Sequence, residues 1–176
     1  MAERMLIIGV GNLLLKDEGV GVQVARQLQK RALPPEVEVC DGGVGGIGLL
    51  DYFRRTSKLL LIDAAEMNLK PGAVVRFTPR EVKDSGHRVK FSTHDVGLAE
   101  VLKLAEALGL CPEEVVIIGI QPKEIAWGEE LSPAVQASLP GVVEMVMKEI
   151  SSNFIAPFIA RGAAGPENHK GPDDGL

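Results

Sequence analysis

Short apolar runs alternate with amphipathic stretches along most of the chain. The continuous runs are typical of strands buried on both faces, whereas apolar residues at helical spacing are typical of helices that bury one face. Ser132 is expected to cap the last helix, and Pro133 suits its first turn. Predicted strands occupy residues 5–10, 37–40, 58–62 and 115–120, and predicted helices occupy residues 19–31, 48–55, 96–108 and 133–151.

This alternation predicts a single α/β domain of three layers, in which a mainly parallel, twisted sheet carries helices on both faces. A β-branched run at residues 73–77, bounded by turn-forming prolines, predicts an antiparallel edge strand. Residues 78–92 are polar and show no periodicity. Because right-handed crossovers place every strand-to-helix loop at the same edge of a parallel sheet, we expect the functional residues at that edge.

The chain divides into a domain and a C-terminal extension. The α/β domain is expected to span residues 1–153, and the extension residues 154–176. From Arg161 onward the sequence is rich in Gly, Pro and charged residues and has no apolar period, which predicts a mobile tail beyond about residue 160. Residues 154–159 are apolar enough to dock on the domain.

Composition and charge exclude several classes of partner. The net charge of −5 is unfavourable for contact with a phosphate backbone, so nucleic acid is not an expected partner. No apolar run approaches the length of a membrane span, and the apolar start at residues 5–10 is too short for a signal peptide. Cys40 and Cys111 form no disulfide framework, which fits a reducing compartment. These features predict a cytoplasmic protein.

Three residues that can bind a metal ion follow predicted strands: Glu18, Asp63 and His94. Because the ends of parallel strands meet at one edge, we expect these side chains to come together there. Two carboxylates and an imidazole would form a sparse metal site. Asp63 is the least easily explained by structure alone, since it ends an apolar run in what should be a central strand.

Two of these positions also have a structural explanation. Asp17 and Glu18 stand at the start of a predicted helix, where the helix dipole favours acids and where Asp17 is able to cap the helix. Ser92 or Thr93 can cap the following helix, which would leave His94 as ordinary loop surface.

A glycine-rich loop offers a second interpretation. Residues 43–48 fit the pattern G-x-G-x-x-G, lie between a predicted strand and helix, and precede Asp63 by a spacing suited to a ribose-binding acid. A dinucleotide-binding oxidoreductase is therefore an alternative. Against it, glycine is so dense here that a chance match is common, and the acids of the first loop would repel a pyrophosphate.

With these motifs in view, the chain resembles the hydrogenase maturation endopeptidases. These proteases trim the C-terminus of the large subunit of nickel-iron hydrogenases after nickel has been inserted. The resemblance covers roughly residues 5–150, in the family's order and spacing, which is more specific than any single motif. It runs through residues 9–21, 41–43, 61–64 and 92–98.

The resemblance implies a site, a partner and a reaction. Glu18, Asp63 and His94 fall on the positions with which family members hold a metal ion, and they are the expected catalytic set. Asp41 matches an acid of the glycine loop and is a possible accessory. The resemblance further implies an aspartyl-type endopeptidase without a permanent cofactor, because the nickel is supplied by the substrate, the precursor of a nickel-iron hydrogenase large subunit.

The nickel would polarise the scissile carbonyl, activate a water or mark the substrate. The sequence contains neither G-x-S-x-G nor H-E-x-x-H, and Cys40 lies in no recognisable protease signature, so it is expected to be a small buried thiol. A maturation chaperone that grips a nickel protein without cutting it would use the same residues, so it remains an alternative.

Overall fold

The computed structural model describes residues 4–84, 89–91 and 98–155 of the chain. Two 3₁₀ turns, Lys16–Gly19 and Ile47–Leu49, lead into the first and second helices, and a π-helical turn, Ser151–Ile155, follows the last one. The strands are β1 (Met5–Gly9), β2 (Val37–Asp41), β3 (Lys58–Glu66), β4 (Val74–Phe77), β5 (Lys90–Phe91) and β6 (Glu114–Ile120). The helices are α1 (Val20–Leu28), α2 (Leu50–Phe53), α3 (Pro79–Asp84), α4 (Leu98–Ala107) and α5 (Pro133–Ile150).

The strands form one mixed sheet in the order β2-β1-β3-β6-β4. The strands β2, β1, β3 and β6 are parallel, and β4 pairs antiparallel with β6 at the edge. Strand β5 pairs antiparallel with the end of β3. The predicted α/β class, with a mainly parallel sheet and an antiparallel edge strand, is confirmed.

Two apolar clusters, one on each face of the sheet, account for the three layers. Along β3 the side chains alternate between them: Leu60 and Ile62 pack with α1 and α5, whereas Leu59 and Leu61 pack with α2 and α4. Both faces of this strand are therefore buried, which explains why its sequence is a continuous apolar run rather than an alternating one.

Strand β3 is longer than the sequence predicts. Its pairing with β6 continues to Ala64, and its pairing with β5 continues to Glu66. The apolar run ends at Ile62, but hydrogen bonding to two neighbours extends the strand past the acid. Asp63 consequently lies inside β3 and not just beyond it.

A short helix, α3, was not predicted in the polar segment that follows β4. The Thr78 N–H donates to Glu81 Oε2 at 2.6 Å, and the Glu81 N–H donates to Thr78 Oγ1 at 3.3 Å. This reciprocal pair is a capping box, which satisfies two N–H groups at the helix start. The T-x-x-E spacing was the available signal, and a search for apolar periodicity alone does not detect it.

The last helix ends close to the predicted position, but the chain stays coiled through the π-helical turn. Phe154 of that turn packs against the cluster formed by α1 and α5. Residues 156–176, where the mobile tail is predicted, lie outside the described residues. Within the described part of the chain, no helix is long and apolar enough to cross a membrane.

Helix α1 rests directly on the backbone of the sheet because two glycines face each other. A Cβ atom on Gly9 would lie 2.0 Å from the carbonyl oxygen of Gly21. One on Gly21 would lie 2.1 Å from the carbonyl oxygen of Ile62 and 2.3 Å from that of Val10. No larger residue fits at either position, so these glycines set the distance between α1 and the ends of β1 and β3.

We predict that Gly21→Ala lowers the free energy of unfolding by about 3 kcal/mol or more, because a backbone atom cannot move aside as a side chain would. Denaturant unfolding measures this change. Gly48→Ala is the matched control, since a Cβ there meets nothing within 4 Å. The control should change stability by less than about 0.5 kcal/mol. Equal stability of the two variants would contradict the packing argument.

Candidate functional site

The candidate site lies where the parallel strands β1 and β3 present their carboxyl ends. The loop after β1 is joined there by backbone hydrogen bonds to β3 and to the glycine loop after β2. The Val10 N–H donates to the carbonyl of Ile62 at 2.8 Å, and the Gly11 N–H donates to the carbonyl of Gly43 at 2.7 Å. This is the edge at which open α/β sheets bind their ligands.

Glu18 is fully buried on the 3₁₀ turn before α1, and that turn lies against β3. Its position follows from the glycine contact. Gly21 is three residues after Glu18, so the two face the same side of the coiled segment, and Gly21 touches the backbone of Ile62. The turn therefore brings Glu18 to the part of β3 that carries Asp63.

Asp63 is also fully buried. Strand alternation places it on the face of Leu59 and Leu61, which is the face covered by α4. Helix α4 begins at Leu98, four positions after His94 in the sequence. The structure thus brings two of the three predicted ligands to one edge of the sheet.

The predicted third ligand, His94, lies in residues 92–97, outside the described part of the chain. Its role as a ligand stays a prediction. Among residues 4–84, 89–91 and 98–155, no group of three His, Cys, Asp or Glu side chains has the arrangement of a metal site. The chemistry of the two buried acids still fits the predicted set, because carboxylate oxygens bind divalent cations and need a third ligand to form a facial site.

Asp17, the neighbour of Glu18, has a structural role that differs from the predicted one. Its carboxylate accepts hydrogen bonds from the N–H groups of Lys123, Glu124 and Ser132 and from the Ser132 hydroxyl, at 2.6–3.0 Å. It does not cap α1. The N-cap residue of that helix is Gly19, and no side-chain capping bond forms there. Burial raises the pKa of Asp17, but these hydrogen bonds outweigh it and hold the pKa below its usual value.

The same contacts correct the prediction for the last helix. Ser132 occupies the N-cap position of α5 and Pro133 follows it, but no side-chain capping bond forms. The Ser132 hydroxyl donates to Asp17 instead, at 2.8 Å. Sequence reasoning found the two acids and the serine separately. The bond between Asp17 and Ser132 joins positions that are far apart in the chain, and no local pattern signals it.

A buried amide near the site was also missed. The Gln121 side chain accepts hydrogen bonds from the N–H groups of Met67 and Leu69 at 2.8 and 3.2 Å, and it donates to a Glu66 carboxylate oxygen at 3.0 Å. It fixes the chain directly after β3. A polar residue at the end of the apolar run of β6 was the available signal.

Asp41, the possible accessory residue, has contacts that fix the glycine loop. Arg26 of α1 approaches its carboxylate to 3.0 Å, and the Gly43 N–H donates to it at 2.9 Å. The carboxylate is partly exposed, so this ion pair contributes little to stability. Its effect is to hold the start of the loop against α1, while an accessory catalytic role stays a prediction.

The glycine loop lacks the geometry of a dinucleotide site. Gly43 and Gly45 have left-handed φ angles of 51° and 74°, and the loop leads into the 3₁₀ turn Ile47–Leu49. The helix that follows, α2, has only four residues. A pyrophosphate site requires a helix N-terminus with several aligned N–H groups, and this short helix offers a poor one.

Cys40 is not a suitable nucleophile. It is half-buried in β2, and burial, together with the charge and hydrogen bond of Glu38, raises the pKa of its thiol to about 11. The thiolate is the reactive form of cysteine, and almost none is present at neutral pH. The thiol is therefore unreactive, although Cys40 is half-buried and not fully buried as expected.

We predict that Asp17→Asn lowers the free energy of unfolding by roughly 2–4 kcal/mol, because the amide nitrogen would meet N–H groups that now donate to a carboxylate. Fluorescence anisotropy of Trp127, the single tryptophan of the chain, should fall as its loop loosens. Asp51→Asn, at an exposed position of α2, is the control and should leave both readings unchanged. Unchanged readings in Asp17→Asn would contradict the structural role.

Comparisons with known proteins agree on one family. The HycI family, described as hydrogenase maturation protease, matches residues 22–149, a range that contains Asp63 and His94 and begins after Glu18. The hydrogenase expression/formation protein HupD of Bradyrhizobium diazoefficiens is 33% identical over 150 residues, which cover 84% of this chain and 78% of that protein.

Two solved structures share both fold and sequence with the chain. The hydrogenase maturating endopeptidase HybD from Escherichia coli has a TM-score of 0.75 and 32% identity, with 86% of this chain and 94% of that chain covered. The [NiFe] hydrogenase maturation protease HybD from Thermococcus kodakarensis has a TM-score of 0.72 and 33% identity, with 84% and 99% covered. The chain therefore belongs to the hydrogenase maturation protease family and is an endopeptidase.

Proposed function

We propose that this endopeptidase removes a C-terminal peptide from the precursor of a nickel-iron hydrogenase large subunit after nickel has been inserted. The observation that carries the proposal is the burial of two acids, Glu18 and Asp63, at the functional edge of a chain of this family. The similar protein from Thermococcus kodakarensis, named as a [NiFe] hydrogenase maturation protease, supports the choice of substrate.

Glu18, Asp63 and His94 would contact the nickel that the precursor carries. In the precursor the ion is held by cysteine thiolates, and the two carboxylates and the imidazole would take its open positions. The nickel then belongs to the substrate, and the enzyme holds no permanent metal. A set of two carboxylates and one histidine supports this, because it binds metal less tightly than sites with more imidazoles or thiolates.

The protein's own contribution is to position these groups and keep water from them. Glu18 is fixed by the contact of α1 with the sheet, and Asp63 by its place inside β3. A buried carboxylate interacts more strongly with a cation than an exposed one, because water does not screen the charge. An aspartyl-type assignment is supported by these acids and by the unreactive state of Cys40.

A maturation chaperone that grips the nickel protein would use the same acids. Cleavage of the precursor is favoured over binding without cleavage, because the solved relatives are named as endopeptidase and protease. The cysteine pattern supports a cytoplasmic location for the reaction, because a chain with two cysteines and no disulfide framework fits a reducing compartment.

We predict that Glu18→Gln, Asp63→Asn and His94→Ala each lower the rate of processing at least 100-fold, on the order expected for loss of a group that contacts the reacting centre. Intact mass of the nickel-loaded precursor before and after incubation measures the loss of the peptide. Thermal unfolding of each variant separates this effect from loss of the fold. Asp51→Asn changes an exposed acid that lines a groove at the starts of β1 and β2, away from the candidate site, and should process at the wild-type rate.

Processing at the wild-type rate by all three variants would overturn the site assignment. Binding of the precursor by the wild-type enzyme without any shortening would favour the chaperone instead.

We further predict that the precursor without nickel stays uncut at enzyme concentrations that fully process the nickel-loaded form. The reason is that the contact between Glu18, Asp63 and the substrate passes through the ion. Paired reactions with the two forms, read by intact mass, test this. Adding nickel to the enzyme alone before mixing is the control, and it should not restore cutting. Equal cleavage of both forms would refute recognition through nickel while leaving the peptidase assignment intact.

A further inference from the structure

The loop between β6 and α5 exposes large apolar side chains at the edge of the sheet that carries the candidate site. Trp127, the single tryptophan of the chain, is 80% exposed, and Ile125 is 48% exposed. Leu14, on the loop after β1, is 50% exposed. We call these three residues the Trp127 patch. Large apolar side chains grouped on a protein surface commonly mark a place where another molecule binds.

The two loops of the patch are bonded to each other. The Lys16 N–H donates to the Gly128 carbonyl at 2.7 Å, and the Gly128 N–H donates to the Leu14 carbonyl at 3.0 Å. Leu15 and Gly128 pair as an isolated parallel bridge, so the same register brings Leu14 and Trp127 to neighbouring positions. The exposed side chains therefore form one surface and not two separate ones.

The Asp17 carboxylate fixes the loop that carries Ile125 and Trp127. The Asp17 carboxylate binds the N–H groups of Lys123, Glu124 and Ser132, which stand before and after Trp127 in the chain. Lys16 and Glu124 add an ion pair at 2.8 Å across the two loops. A loop fixed at both ends loses little conformational entropy when it binds a partner, so more of the contact energy contributes to affinity.

The patch is also continuous with the candidate metal site. The turn that carries Asp17 carries Glu18 as the next residue, and its first residue, Lys16, is bonded to Gly128. Next to the patch, a groove of about 520 Å³ runs between Leu14, Glu129 and the polar face of α1. An apolar centre with polar surroundings is the usual composition of a surface that binds a protein.

We propose that the Trp127 patch docks the folded body of the precursor large subunit, with Trp127 as the main contact. This inference rests on the proposed function. A metal ion that arrives bound inside a protein can reach Glu18 only if that protein covers the rim of the site. The part of the rim bonded to the Glu18 turn is the loop that carries Trp127. Buried tryptophans contribute more to protein association than most other residues.

The test measures docking and cutting separately. Binding of nickel-loaded precursor is measured by calorimetry in the Glu18→Gln background, with and without Trp127→Ala, so that substrate is not consumed. Processing kinetics are measured for Trp127→Ala alone. We expect Trp127→Ala to raise the dissociation constant and KM by about tenfold or more, with the smaller effect on kcat. Leu108→Ala, which truncates a side chain that is 56% exposed beyond the far end of α4, is the matched control and should change neither constant.

The outcomes separate the two proposals. An unchanged dissociation constant and KM in Trp127→Ala overturns docking at the patch, while cleavage by the wild-type enzyme leaves the proposed function standing. Efficient cleavage by Glu18→Gln overturns the metal-contact assignment, and the KM of Trp127→Ala compared with that of the wild-type enzyme still reports on the patch. If the wild-type chain sediments as a dimer that Trp127→Ala dissociates, the patch binds a second copy of this chain, and docking of the precursor is overturned.

Discussion

The contact between Gly9 and Gly21 controls the geometry of the functional edge. It lets the backbone of α1 touch the ends of β1 and β3 with no side chain between them. The distance between the sheet and the turn before α1 is therefore fixed, and so is the position of Glu18. A side chain at either glycine would lift this turn from Asp63. Two residues without side-chain functional groups thus determine where Glu18, the proposed metal contact, is placed.

Neighbouring acids on that turn have different roles because of its geometry. A 3₁₀ turn has three residues per turn, so Asp17 and Glu18 point about 120° apart. Asp17 faces the loop between β6 and α5, where four donors hold its carboxylate. Glu18 belongs to the turn that lies against β3. The first acid fixes the rim of the site, and the second is buried within it.

Sequence periodicity predicted the sheet and the longer helices because buried strands and amphipathic helices carry their signal in adjacent residues. It also placed Glu18 and Asp63 at one edge, since the handedness of crossovers fixes where loops lie. It failed where distant residues decide the outcome. Pairing with β5 and β6 carries β3 past Asp63, and Asp17 binds Ser132 in place of its own helix. Neither the extended pairing of β3 nor the bond between Asp17 and Ser132 produces a pattern among adjacent residues of the sequence.

The proposed set of ligands, two carboxylates and one imidazole, has a consequence for selectivity. Carboxylates and one imidazole do not select nickel from other divalent ions by affinity alone, because copper binds such donors more tightly and imidazole also suits zinc. Discrimination between metal ions must then come from the protein that carries the ion.

A surface that recognises that protein would raise the local concentration of the correct metal centre at Glu18 and Asp63 without tighter metal binding. The Trp127 patch is bonded to the turn that carries Glu18, so docking and metal contact would be geometrically linked. The proposed metal site, joined to the proposed docking surface, would select a nickel-loaded precursor over either free nickel or the empty precursor, because each alone satisfies only one of the two contacts.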